Sequence, residues 1–244
     1  MQITVIQSSK DMSLDSMTNQ TVIVIDVLRA TSNMITALMF GCIEIIPLET
    51  IEEAKSLKVS GDLLGGERNC LKLPDFDLGN SPYEYMTPQV FDKRILMTTT
   101  NGTRVIQQAN SAKHVLAGAF INAHACALAA LELQDDITIL CAGTNDAFSW
   151  EDGLCAGFIV HELQQITGQS FQVNDFGLCM LTSYLEVEQK LNQALLESAN
   201  GKKLTLLGFE SDILYCSKVN IMDAVPVLYD GKLISHRSKN VCPS

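Results

Sequence analysis

The chain has 244 residues, 47% of them hydrophobic and 18% charged, which is enough apolar sequence for a packed core and excludes a largely disordered polymer. Its 17 Lys and Arg against 28 Asp and Glu give a net charge of −11. That balance argues against duplex nucleic acid or an anionic membrane surface as partner, yet leaves room for a small anion held by a local field. The apolar stretch Val115–Leu131 is 17 residues long and contains Asn122 and His124, too short and too polar for a bilayer span. The N-terminal segment lacks the basic-then-apolar order of a signal peptide. Eight cysteines without a C-x-x-C pair read as reduced core thiols, so the expected compartment is cytoplasmic.

In chain order, short apolar runs at Ile3–Ile6, Val22–Val27, Ile43–Pro47, Leu63–Leu64, Ile95–Thr98, Val115–Ala117 and Ile137–Cys141 read as strands. Helical spacing falls between them at Met34–Phe40, Ile51–Leu57, Thr103–Ala109, Ala123–Leu131 and Leu154–Gln165. Thr50-x-x-Glu53 forms a capping box at the head of one of these helices. Beyond residue 170 the pattern turns helical over Cys179–Leu196 and Gly208–Val219, with Asn200-Gly201 read as a helix stop. A hairpin, Val225–Tyr229 and Leu233–Ser235, turns at Asp230-Gly231. The alternation predicts an α/β fold: a largely parallel sheet covered by helices in three layers, α/β/α, with a helical C-terminal third. The chain reads as a single α/β domain over 1–244, or as two tightly packed lobes divided near 112–136. The apolar helical third is compatible with a homodimer.

In such a sheet, ligands bind at the carboxyl ends of the strands, so the polar strand-to-helix junctions carry the chemistry. Residues 22–33 deliver Asp26 at the end of a very apolar strand, then Arg29, then Thr31 and Ser32 opening a helix whose free N–H groups suit phosphate. The plain alternative is that Asp26 and Thr31 only cap that helix. Residues 63–82 hold Gly65-Gly66, where the backbone approaches closely or turns sharply, then Glu67 and Arg68, and end on Asn80 and Ser81. Residues 97–104 place Thr99, Thr100, Asn101, Gly102 and Thr103 before Arg104, a spacing that makes an anion cradle. Residues 141–157 put Glu151 and Asp152 at a helix start, where Ser149-x-x-Asp152 also matches a capping box.

Of five arginines, at 29, 68, 94, 104 and 237, three fall in these junctions. Their planar forks suit carboxylate, phosphate and sulfonate oxygens, which points to a small polyanion. Asp26, Glu67, Glu151 and Asp152 would repel it unless a metal lay between, and hard oxygen ligands without a histidine set favour Mg²⁺. The four histidines, at 114, 124, 161 and 236, show no ligand spacing. Other phosphate chemistries are missing: no G-x-x-x-x-G-K-[ST], no C-x₅-R, no Arg-His-Gly, no D-x-D after the Asp26 strand and no G-x-S-x-G elbow.

Taken together and in order, DVLRATS at 26–32, GGER at 65–68, GNSP at 79–82, TTTNGT at 98–103, CAGT at 141–144 and EDGLCAG at 151–157 resemble the 2-phosphosulfolactate phosphatase family over residues 2–230. Ser32-Asn33 stands where a more threonine-rich continuation is expected. The resemblance implies a Mg²⁺-dependent hydrolase that converts 2-phospho-3-sulfolactate to 3-sulfolactate and phosphate, a step of coenzyme M synthesis. It implies an α/β fold distinct from the common phosphatase folds. Competing readings are a phosphatase of another 2-phospho-hydroxyacid and a non-catalytic binding protein for a small polyanionic acid. The leading assignment gives Asp26 and Arg29 catalytic roles, with Asp26, Glu67, Glu151 and Asp152 on the metal. Thr31, Ser32, Arg68, Asn80, Ser81, Thr99, Thr100, Asn101, Gly102, Thr103 and Arg104 would bind the substrate.

Overall fold

The computed structural model describes residues 1–11 and 17–236; Arg237 and Cys242 lie outside the described residues. The strands are β1 (Gln2–Ile6), β2 (Thr21–Ile25), β3 (Glu44–Leu48), β4 (Leu63–Arg68), β5 (Leu71–Lys72), β6 (Arg94–Thr98), β7 (His114–Gly118), β8 (Ile137–Cys141), β9 (Gln172–Val173), β10 (Val225–Tyr229) and β11 (Lys232–His236). They form one sheet in the order β5-β4-β6-β3-β11-β10-β7-β2-β8-β1-β9. β4, β6 and β3 make one parallel block, and β7, β2, β8, β1 and β9 make another. Every residue of β2 and β8 is buried, as expected of parallel strands with both faces covered. The fold is therefore the expected largely parallel α/β sheet with helices packed on it.

The hairpin falls where the sequence puts it. Asp230 and Gly231 at its turn have φ +50° and +75°, the left-handed pair that a two-residue hairpin turn requires. Its position in the sheet has no local signal: it is the antiparallel bridge between the two blocks. β10 pairs with β7 at Val227–Leu116, and β11 pairs with β3 at Leu233–Ile45. β2 and β6 lie five strand spacings apart, about 24 Å in a flat sheet. Yet Gly102, just past β6, sits so near Asp26, just past β2, that a Cβ there would approach Asp26 Oδ2 to 2.8 Å. The sheet is therefore not flat, and the junctions at the carboxyl ends of the two blocks meet.

The helices are α1 (Ala30–Met39), α2 (Ile51–Leu57), α3 (Pro82–Tyr85), α4 (Gly102–Gln108), α5 (Ala123–Leu133), α6 (Trp150–Thr167), α7 (Asp175–Val187), α8 (Leu191–Glu197), α9 (Ala199–Leu206) and α10 (Glu210–Cys216). The capping box at Thr50 and Glu53 is formed in both directions. The box proposed at Ser149 is not: Ser149 is the N-cap of α6 but its Oγ pairs with Thr144 Oγ1 and makes no cap bond, while the Asp152 carboxylate turns to other backbone groups. Gly65-Gly66 is not a turn but the continuation of β4. At Gly66, φ is +143° and a Cβ would stand 2.0 Å from the Thr98 carbonyl oxygen, so only glycine lets β4 lie against the end of β6.

The C-terminal third is helical but segmented. The helix expected over Cys179–Leu196 is interrupted by a 3₁₀ turn at Glu188–Lys190. Asn200-Gly201 is not a helix stop: it lies in the first turn of α9, which Ser198 caps by accepting from the Gly201 N–H. A Cβ at Gly201 would lie 1.8 Å from the Leu195 carbonyl oxygen, so the glycine serves close packing of α9 on α8. Gly201→Ala is expected to cost about 1–3 kcal/mol of stability, the usual scale of overpacking, measured by urea unfolding. An unchanged midpoint would show that α9 moves without cost.

The seven described cysteines are all unpaired thiols. Burial pushes Cys42, Cys126 and Cys216 up to about 12, so these behave as inert core groups. Among the described residues no helix is long and apolar enough to cross a membrane.

Candidate active site

Asp26 follows a strand with no polar residue after Thr21, so the carboxylate is delivered into apolar surroundings and is only 8% exposed. Its Oδ1 accepts from the Ala30 N–H at 3.1 Å, which partly realises the capping alternative. Burial pushes its proton affinity up to about 7, and the charges of Glu67 and Glu151 push in the same direction. The Ala30 and Gly102 N–H groups pull it back. A buried acid opposed by two others and helped only by backbone dipoles lacks a cation.

The neighbouring acids hold the junctions in place. Asp152 Oδ1 accepts from the Val27 N–H (2.9 Å) and Oδ2 from the Gly143 N–H (3.1 Å), tying the loop after β2 to the loop after β8. Glu67 accepts from the Thr100 N–H (2.8 Å) and the Cys70 N–H (2.7 Å), tying the end of β4 to the loop after β6. Glu151 Oε1 accepts from Asn200 Nδ2 (2.8 Å), which docks α9 on the start of α6. Burial raises the proton affinity of both Glu151 and Asp152, and Asp152 is raised further by Glu151 and Asp26.

Arg29 is 2% exposed. Its Nη1 lies 2.5 Å from Asp212 Oδ2, its Nη2 donates to the Cys70 carbonyl, and its guanidinium stacks 4.4 Å from the centre of the Phe209 ring. Ser81 Oγ donates to the other oxygen of Asp212 at 2.8 Å. Asp212 thus converts a buried cation into a fixed wall element.

These junctions line a cleft open to solvent, whose wall includes Asp26, Arg29, Glu67, Asn80, Thr99, Thr100 and Asn101. Seven of the residues singled out from the sequence therefore meet at one place. The others lie behind or beside that wall. Thr31 Oγ1 is occupied by the Asp26 backbone and the Gly118 carbonyl, and Ser32 Oγ donates to the Val27 carbonyl. Thr103 and Thr99 exchange hydroxyl and N–H bonds across the start of α4. Gly102 lets α4 approach Asp26. Arg68 does not reach the cleft: it donates to the Glu67 and Glu49 carbonyls and to Thr98 Oγ1, bracing β4 on β6. Arg104 pairs with Asp146 at 2.7 Å instead. In each case a nearer acceptor takes the guanidinium group away from the cleft.

The sequence reading missed Thr144, Asn145, Asn200 and Lys203 on the wall, and Asp212 behind it. Thr144 lies in the CAGT segment and was within reach of the motif argument. Asn200, Lys203 and Asp212 come from α9 and α10, where polar residues on short helices look like a solvated face.

The segments that build this cleft all lie within the part of the chain that matches known proteins. The family model described as 2-phosphosulpholactate phosphatase matches residues 6–231. A probable 2-phosphosulfolactate phosphatase of Clostridium novyi (strain NT) is 40% identical over 238 residues, covering 96% of this chain and 99% of that one. One of Thermotoga maritima is 42% identical over 218 residues, covering 88% and 92%. With nearly the whole chain matched, the protein belongs to the 2-phosphosulpholactate phosphatase family.

Proposed function

We propose that the chain hydrolyses the phosphate ester of 2-phospho-3-sulfolactate to 3-sulfolactate and inorganic phosphate, with Mg²⁺ as cofactor, a step of the kind that serves coenzyme M synthesis. The observation that carries this reading is the meeting of Asp26, Glu67 and the Thr99–Asn101 loop in one cleft. Relatives along the whole chain bear the matching name.

The residues fit a hard divalent cation. Asp26, Glu67 and Glu151 load one negative field, and the one arginine on the wall is already paired with Asp212. Among the described residues no three His, Cys, Asp or Glu side chains form a closed metal cage. Mg²⁺ needs none, because it is commonly held by one or two carboxylates together with water and phosphate oxygens. Asp26 and Glu67, both on the wall, are the groups that would hold it; Asp152 lies behind the wall and serves position instead. When bound, the ion supplies positive charge against the phosphoryl oxygens.

The chain's own contribution is placement. Phosphoryl transfer depends mainly on positioning and charge neutralisation. Asp152 ties the junction after β2 to that after β8, and Glu67 ties the end of β4 to the loop after β6, so Asp26 and the threonine loop are each held in place. Phosphate release after exhaustive chelation with EDTA is expected to fall to background and to return on adding Mg²⁺. Full turnover by the metal-free protein would overturn the cofactor assignment.

A further inference from the structure

The substrate in this reading carries a phosphate, a carboxylate and a sulfonate, up to about four negative charges near neutral pH. The cleft wall has two cationic side chains, Arg29 and Lys203. Arg29 is consumed by Asp212 and the Cys70 carbonyl. Arg68 and Arg104 face other partners. Lys203 is exposed, and among the described residues no carboxylate pairs with it.

Its position is fixed by its neighbour. Asn200 and Lys203 are three residues apart on α9, hence on one face of the helix. Asn200 Nδ2 donates to Thr144 Oγ1 (2.7 Å) and Glu151 Oε1 (2.8 Å), so that face is held against the start of α6. Lys203 therefore presents a flexible point charge at the outer wall of the cleft, beyond the buried acids.

We propose that Lys203 binds the sulfonate of the substrate and is the specificity-determining residue for it; this rests on the hydrolase reading above. The ester phosphate must lie at Asp26. The carboxylate carbon is bonded directly to the ester-bearing carbon, whereas a methylene separates the sulfonate sulfur from it. The sulfonate is thus the anion that reaches furthest toward an outer lysine. A sulfonate stays ionised throughout the physiological range, which suits a permanent ammonium partner.

The test compares wild type, Lys203→Ala, Lys203→Arg and, as a control on the same helix, Lys202→Ala. Turnover is measured with 2-phosphosulfolactate and with 2-phospholactate, which keeps the carboxylate and lacks the sulfonate. Lys203→Ala is expected to raise KM for the sulfonated ester about tenfold, the scale of one charge-assisted contact, with kcat little changed. KM for 2-phospholactate should move less than about twofold, Lys203→Arg should restore most of the loss, and Lys202→Ala should behave as wild type. Binding of 3-sulfolactate and of lactate is followed in parallel by calorimetry. A tenfold loss of sulfolactate affinity in Lys203→Ala supports the assignment even where no ester is hydrolysed, an outcome that would overturn the hydrolase reading alone. Equal losses for both esters, or unchanged sulfolactate affinity in an active enzyme, would overturn Lys203 as the sulfonate reader.

Discussion

Asp26→Asn is expected to lower kcat by about 100-fold or more while the protein stays folded. The substitution keeps size and hydrogen bonding and removes one charge, so the Ala30 N–H keeps an acceptor. Three buried acids repel one another here, and relieving that repulsion should leave stability unchanged or raised. A loss of activity together with a gain of stability is the pattern of a residue kept for function against its folding cost. The size of the kinetic effect follows from removing a principal charged group from a transition-state site. Steady-state phosphate release and thermal unfolding of the same preparations check it. Near wild-type turnover would reduce Asp26 to its capping bond. A phosphoaspartate trapped at position 26 would mark the carboxylate as nucleophile, and reduced Mg²⁺ affinity without one would mark it as ligand.

Asp212→Ala carries the largest expected effect on folding, a loss of about 3–5 kcal/mol, because it leaves the Arg29 guanidinium buried without its counter-ion. Both side chains are almost wholly inaccessible, at 1% and 2% exposure. Such a loss is a large share of the roughly 5–15 kcal/mol that a domain of this kind has in total. The variant also frees Ser81 Oγ. Urea unfolding gives the magnitude, and the double variant Arg29→Met with Asp212→Leu should recover much of the stability, since an apolar pair of similar volume carries no desolvation cost. A loss below about 1 kcal/mol in Asp212→Ala would mean that water reaches Arg29 in solution, contrary to the packing described.

What the sequence revealed follows the range of each physical cause. The main strand periods, the capping box at Thr50 and the turn at Asp230-Gly231 depend on neighbours within a few residues and are where the pattern puts them, whereas the helix stop read at Asn200-Gly201 and the box at Ser149 give way to tertiary contacts. The place of the hairpin between β3 and β7 depends on long-range pairing at Val227–Leu116 and Leu233–Ile45, which leaves no periodic trace. The site divides similarly. Asp26, Glu67 and Thr99–Asn101 come from junctions that the carboxyl-end rule marks out. Of the three junction arginines only Arg29 lines the wall, because an arginine is long enough to find a nearer acceptor: the Glu49 carbonyl for Arg68, Asp146 for Arg104. Asp212 and Lys203 acquire meaning only once α9 and α10 are folded over the cleft.

The central claim is that the cleft cleaves a phosphate ester and does not merely hold one. Phosphorus NMR of 2-phosphosulfolactate incubated with the protein and Mg²⁺ tests it most directly. The account predicts that the ester resonance is replaced quantitatively by inorganic phosphate, in amounts far exceeding the enzyme present, and that Asp26→Asn leaves it standing over the same interval. An ester signal that shifts and broadens on saturable binding but never converts would contradict the account and make the cleft a receptor for the intact polyanion.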